Sequence, residues 1–321
     1  MTTPAPLLLA LDFGGTKLTA AMTRPGRGGW LAHRRFFTPA TADGPYEYNK
    51  MLALAGELIA EVGRPAAIGV SFGGPVDAAA GLVRLSHHVP GWENVPLADR
   101  LRDTFGLPVA VDNDANVAAL GEYRFGAGRG CQNLLYVTVS TGIGGGWILN
   151  GQPYRGADGM AGEIGHTIVQ TGGLPCVCGR RGCLEAEACG PGIANRARLY
   201  LEQNAGQGDA LLRLAQGDPQ NITAKMVAEA ASAGDPFSRR VLVESARRLG
   251  LGLGNAINLM NPDRVVLGGG VTKSGELWWQ TVREAARANV LPEISVNIVP
   301  AAFTDDAPLW GAVALAEQVA G

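Results

Sequence analysis

The sequence predicts an α/β protein built as two related lobes, and three observations carry that expectation. At 321 residues the chain is longer than one hydrophobic core usually fills. Short apolar runs alternate along it with longer stretches of helical period. One outline also occurs twice: LLALDFGGTKLTAAM and, about 127 residues later, LLYVTVSTGIGGGWIL both read as strand, Gly/Thr turn, strand. That spacing is no solenoid period and fits a duplicated lobe. We expect a smaller N-terminal lobe from residues 1–113 with about 303–321, and a larger lobe from 114–302.

Taken in order, Leu7–Phe13, Leu18–Met22 and Trp30–Phe37 read as strands, the first two joined through Gly14-Gly15. Tyr46–Val62 has helical apolar spacing. Ala67–Phe72 is a buried strand ending at Gly73-Gly74-Pro75, Leu97–Phe105 a short helix and Val109–Val111 a short strand. Asp114–Phe125 is helical, with Asp112 or Asn113 available as its cap. Leu134–Ser140 is a strand that runs into a turn, Thr141–Gly146, before Trp147–Leu149 resumes. Gly172–Cys183 is irregular, and Pro191–Asn261 is mostly helical with breaks at Gly206–Asp209 and Gly217–Pro219. Arg264–Leu267 is a buried strand ending in three glycines. A helix (Glu276–Asn289), a strand (Ser295–Pro300) and a last helix (Ala307–Val319) follow.

Composition narrows the function. Apolar residues make up 46% of the chain, and the net charge of −2 comes without a basic block, which argues against a nucleic-acid groove. The apolar run Leu7–Leu11 is too short for a signal segment and has no basic residues before it. No stretch approaches the ~20 apolar residues of a membrane span. The expectation is a soluble, cytoplasmic protein. An odd count of five cysteines favours metal binding or free thiols over a disulfide framework.

Asp12-Phe13-Gly14-Gly15-Thr16-Lys17 puts a carboxylate at a strand end beside two glycines, a hydroxyl and an amine. Glycines let backbone N–H groups approach phosphate oxygens, and the carboxylate can hold a metal ion or its waters. Gly-Gly also makes ordinary hairpin turns. Thr141-Gly142 with Gly144–Gly146 repeats the pattern, and Gly268–Gly270 adds a third glycine turn after a strand. There is no G-x-x-x-x-G-K-[ST] loop, and no G-x-G-x-x-G opens a helix. The paired hairpins resemble the duplicated actin-like (ribonuclease H-like) ATPase fold, which binds nucleotide in the cleft between its lobes.

Asp112-Asn113-Asp114-Ala115-Asn116 follows a strand and opens a helix. A carboxylate there can accept the proton of an attacking hydroxyl during phosphoryl transfer, and Asn113 can bond sugar hydroxyls. Helix capping accounts for one or two of these polar residues, not all four. Farther on, Cys176, Cys178 and Cys183 lie within eight positions among glycines, with His166 ten residues upstream. That Cys₃His set suits a closed tetrahedral zinc of structural type. Cys131 and Cys189 read as small buried apolar residues.

These motifs together are similar to the ROK family (repressors, open reading frames, kinases). The matching stretches are Asp12–Lys17, Gly73–Val76, Trp92–Leu97, Val111–Asn116, Thr141–Gly146, Gly162–His166, Cys176–Glu185 and Asn261-Pro262 leading to Gly268–Gly270. The resemblance implies ATP and Mg²⁺ as cofactors and a bound Zn²⁺. It makes Asp114 the catalytic base. Gly74, Asn113, Asp114, Glu163, His166 and Glu185 would contact the sugar, with His166 also a zinc ligand. Asp12, Gly14, Gly15, Thr16, Lys17, Thr141, Gly142 and Gly269 would hold the nucleotide and its metal, and a homodimer is implied. The family's repressors carry a helix-turn-helix before the first phosphate turn; here that turn begins at Asp12, so a kinase is expected. The motifs resemble the glucokinase branch, with N-acetylmannosamine, N-acetylglucosamine and broader hexose or fructose kinases as alternatives. Ser86-His87-His88 departs from the Asn-containing stretch often found there; in a loop near the expected cleft, its two histidines read as surface residues, with sugar contact as the alternative, and Cys189 stands where Ser or Ala is common.

Overall fold

The computed structural model describes residues 5–86, 88–203 and 206–320. By compactness these divide into two units. The first takes Met1–Cys131, Gly146–Ala161 and Ala301–Gly321, the second Gln132–Gly145 and Gly162–Pro300. Residues 114–131 and 146–161 thus group with the first unit, whereas the expected division placed them in the larger lobe.

The first unit opens with β1 (Leu8–Phe13), β2 (Lys17–Thr23) and β3 (Ala32–Phe37), paired antiparallel in sequence. α1 (Gly44–Val62) leads to β4 (Ala67–Phe72), which pairs parallel with β1. A small hairpin of β5 (Val76–Asp77) and β6 (Leu82–Val83) follows, too short to show in the sequence pattern. Then come α2 (Leu97–Phe105), β7 (Val109–Asn113), parallel to β4, and α3 (Asp114–Phe125). The sheet order is β3-β2-β1-β4-β7. All six residues of both β1 and β4 are buried, which is why these strands read as continuous apolar runs rather than alternating ones. Trp92 packs its ring edge-on to Phe13 and Phe72, and its Nε1–H donates to buried Glu47 at 2.9 Å.

The second sheet repeats the plan. β8 (Leu134–Val139), β9 (Ile143–Leu149) and β10 (Gln152–Tyr154) are the counterparts of β1, β2 and β3. Helices α4 (Leu184–Ala188), α5 (Gly190–Gln203), α6 (Asp209–Leu214), α7 (Ala224–Ser232) and α8 (Pro236–Met260) lead to β11 (Arg264–Gly268). α9 (Glu276–Ala288), β12 (Ile298–Pro300) and α10 (Ala307–Val319) complete the chain. The order β10-β9-β8-β11-β12 matches the first sheet position for position, and β8, β11 and β12 are parallel. The repeated outline in the sequence therefore reflects a repeated topology.

One local expectation changes. Gly144–Gly146 belong to β9, and only Ser140–Gly142 form the turn, closed by Ser140 N–H on Gly142 O at 2.9 Å. Two of these glycines answer to packing. A Cβ on Gly145 would sit 2.6 Å from Gly162 O, and one on Gly146 2.5 Å from Ala115 O.

Candidate functional site

In the first unit the β7–α3 corner holds the expected acid. Asn113 caps α3, its side-chain oxygen accepting from Ala115 N–H at 3.0 Å and Asn116 N–H at 3.4 Å. Its Nδ2–H₂ donates to Gly74 O and to Asp114 Oδ1, each at 3.0 Å. Asp114 Oδ1 also accepts from Ala115 N–H at 2.8 Å. Capping and ligand contact therefore need not compete here, because Asn113 uses one end to cap and the other to join Gly74 to the Asp114 carboxylate. Behind the corner lies Asp112, buried to 2%, which accepts from Asn113 N–H at 2.8 Å and pairs with Arg155 at 2.7 Å. The sequence contains no local signal for Arg155, which reaches Asp112 across 43 positions.

The turn after β1 is closed by Gly14 N–H on Lys17 O at 3.1 Å, with Gly15 at φ 72°. Asp12 is buried at the end of β1 and accepts from Ser71 Oγ–H at 2.8 Å. Burial pushes its carboxyl up to about 6, against the pull of the Ser71 hydrogen bond and Lys17; nearby Asp114 raises it further and Arg35 lowers it. Asp12, Gly14–Lys17, Gly74, Asn113 and Asp114 thus all sit at strand ends of one sheet. His88 is exposed but lies over the turn, its Cβ 3.4 Å from where a Cβ on Gly15 would be. It is thus a surface residue, as expected, that also neighbours the candidate residues, while His87 lies outside the described residues.

In the second unit the equivalent turn, Ser140–Gly142, borders a cavity of about 920 Å³. The N-terminal ends of α5 and α7 reach it through Pro191 and Ala224, and Thr141, Lys225, Val271 and Ser274 line it. Its volume suits a nucleoside-sized ligand. Gly270 lines it; Gly269 instead lets β11 close on β8, since a Cβ there would fall 2.4 Å from Val139 O. Glu185 lies against the same turn: its Oε2 accepts from Ile143 N–H at 2.9 Å and would be 2.6 Å from a Cβ on Gly142.

His166 ends a short 3₁₀ turn, Ile164–His166, that presses on the start of β9, where a Cβ on Gly165 would lie 2.1 Å from Ile143 O. Its Nδ1 is 3.7 Å from Cys176 Sγ, and its Nε2 is 4.0 Å from a Glu163 carboxylate oxygen. Cys178 Sγ and Cys183 Sγ are 3.6 Å apart, and the four ligand atoms of His166, Cys176, Cys178 and Cys183 lie within 4.8 Å of one another. Zinc–sulfur bonds of ~2.3 Å and zinc–nitrogen bonds of ~2.0 Å in a tetrahedron require edges of roughly 3.5–3.8 Å. The donor set and spacing fit such an ion.

A model described as the ROK family matches residues 8–319. This chain belongs to the ROK family. A glucokinase from Halalkalibacterium halodurans is 41% identical over 231 residues, covering 71% of this chain and 69% of its own length. A glucokinase from Thermotoga maritima is 32% identical over 323 residues, 99% of each chain. Among solved structures, a ROK family glucokinase from Streptomyces griseus in complex with glucose and AMPPNP superposes with a TM-score of 0.83 at 34% identity, over 97% of this chain and 99% of that one. The two repeated sheets are those of the actin-like two-lobe ATPase fold of ROK kinases. Among its described residues the protein has no helix long and apolar enough to cross a membrane.

Proposed function

We propose that this ROK protein is an ATP-dependent kinase that phosphorylates the 6-hydroxyl of glucose. The observation that carries the proposal is the acid corner. Asp114 is oriented by Asn113 and by its own helix's first N–H, in a chain similar along nearly its whole length to a glucokinase seen with glucose and a nucleotide analogue.

Phosphoryl transfer asks little of a protein beyond alignment and charge stabilisation. Asp114 takes the proton of the sugar hydroxyl as it attacks. Asn113, Glu163, His166 and Glu185, with the Gly74 backbone, bind the other hydroxyls and fix the angle of approach. Gly14–Lys17 and Thr141-Gly142 hold phosphate oxygens, and the cavity beside Gly269-Gly270 takes the nucleoside. When bound, ATP would supply the phosphoryl group, and Asp12 would help hold the Mg²⁺ that neutralises its charge. His166, Cys176, Cys178 and Cys183 would hold Zn²⁺, which would fix the loop that carries the His166 ring; His166 Nδ1 faces the cluster and Nε2 faces Glu163, where it could meet a sugar hydroxyl. None of the five cysteines is joined in a disulfide, and we place the protein in a reducing cytoplasm. A homodimer working at the entry of glucose into glycolysis completes the proposal.

A coupled ADP-release assay with Mg·ATP against glucose, mannose, fructose, N-acetylglucosamine and N-acetylmannosamine tests it. Turnover should be strongest with glucose. A preference for an acetamido sugar would move the substrate assignment while keeping the mechanism. Absence of turnover with all five would overturn the kinase reading.

A further inference from the structure

The cysteine loop leaves and rejoins the fold through a narrow neck. Leu174 O accepts from Gly182 N–H at 2.8 Å, and Gly182 O accepts from Val169 N–H at 2.9 Å. Cys176 lies two residues after Leu174 and Cys183 one residue after Gly182. What holds the neck is a carboxylate from another element. Glu187, on α4, accepts from Leu174 N–H through Oε1 at 2.6 Å. The approach is so close that a Cβ on Gly173 would lie 2.1 Å from the same oxygen.

Glu187 is buried to 2% and its other oxygen is bonded to Arg196 of α5, itself buried to 6%. Arg196 also donates to Glu187 O at 3.3 Å and lies 3.6 Å from Glu244 of α8. Ser245, also on α8, donates to the same carbonyl at 2.7 Å. The arrangement is not the one that best satisfies the guanidinium, because Arg196 Nε is buried with no partner among the described residues. Buried ion pairs seldom stabilise a fold more than apolar side chains of the same volume. Here the pair has a second consequence, since it aims one carboxylate oxygen at the loop. Two residues earlier on the same short helix, Glu185 receives Ile143 N–H, so α4 fixes the cysteine loop at one side chain and the Ser140–Gly142 turn at another.

We propose that Glu187 and Arg196 form a buried clamp that fixes the neck of the cysteine loop through the Leu174 N–H and so positions the metal-binding cysteines, an inference that rests on the zinc reading above. Both are positioning residues and touch neither metal nor substrate. Groups that orient ligands from behind are worth about 10–100-fold in metal affinity.

The decisive variant is the double substitution Glu187→Met with Arg196→Met, which removes the clamp without stranding a buried charge. Two readouts apply, neither of which needs sugar or ATP: amide hydrogen exchange over residues 167–183, and the rate of zinc release to a chromogenic chelator. In the double variant, exchange at Leu174 and zinc release should both rise about tenfold or more, with the thermal midpoint little changed. Glu187→Gln, which keeps an acceptor oxygen in place, should leave Leu174 exchange within about threefold of the parent. Parent-like exchange and release in the double variant would overturn the clamp, as would exchange in Glu187→Gln as fast as in the double variant. A parent protein purified without zinc would count against the metal reading alone, and Leu174 exchange would still decide the clamp.

Discussion

At the residue scale, the Asp114 carboxylate is the group whose removal should matter most. Asp114→Asn keeps the acceptor oxygen that Asn113 and Ala115 bond, and loses only the ability to take a proton. We expect kcat to fall by roughly 10²–10⁴-fold, with glucose affinity by calorimetry within about threefold of the parent; a variant of normal kcat would remove Asp114 as the base. Asp12 makes a prediction of a different kind. Its carboxyl sits at about 6 instead of 3.8, so between these values the folded state keeps a proton that the unfolded chain has lost. Its contribution to stability is therefore greatest in acid and declines as pH rises through about 6. Its proposed role has the opposite sign, because only the ionised carboxylate can hold Mg²⁺. The apparent kcat/KM for Mg·ATP should fall about tenfold per pH unit below about 6, and a profile flat to pH 5 would count against Asp12 as the metal's neighbour. The Asp114 corner was legible in the sequence because Asn113 and Ala115, which bond its carboxylate, are its chain neighbours. Arg155 and Ser71 were not, because they reach Asp112 and Asp12 across 43 and 59 positions, and no local pattern records a pairing made by the sheet.

At the scale of elements, glycine separates what pattern reading can and cannot see. The stretch Gly144–Gly146 looked like part of a phosphate turn and is instead strand, because its glycines admit the backbones of Gly162 and Ala115. Sequence shows that a glycine is present but not which backbone presses on it. The same ambiguity yields paired predictions on two helices of the first unit. In α10, a Cβ on Gly311 would lie 1.7 Å from Val117 O of α3, so Gly311→Ala should lower unfolding free energy by about 2–3 kcal/mol. In α1, Gly56 is exposed with nothing within 4 Å of an added Cβ, so Gly56→Ala should raise it by ~0.5–1 kcal/mol. Urea titration of the two variants should show midpoints moving in opposite directions. Equal shifts would mean that α3 and α10 do not meet as closely as Gly311 implies. The helices themselves were easier to foresee: α3 and α10 match their expected bounds, since each combines a clear start, Asn113 or Pro308, with a long apolar face.

On the scale of the whole molecule, the duplication was the most legible feature, since two hairpins with one outline became two sheets with one strand order. Less visible was how differently the backbone is ordered in one stretch of the second unit. The first unit closes over a continuous apolar core around Trp92, Phe13 and Phe72. The second contains the irregular stretch between His166 and Cys183, whose backbone is ordered by turn hydrogen bonds and two isolated bridges, Ile168 with Cys183 and Pro175 with Arg181, and not by a helix or a sheet. A loop without helix or sheet gains from a further constraint, and the four clustered ligands, all in this unit, provide the means. Stripping the metal with a strong chelator should therefore act locally. About one zinc per chain should be released, and limited proteolysis should then cut first within residues 167–183. Fragments from residues 5–131 should stay protected, because no ligand of the cluster lies there. Cys178→Ala should reproduce this pattern without chelator. Since ~1 kcal/mol moves the melting point of a unit of this size by roughly 2–4 °C, losing a metal that contributes several kcal/mol should lower the midpoint of the zinc-bearing unit by about 10 °C. Cleavage spread evenly over both units after chelation would show that the metal supports the whole fold and not one loop.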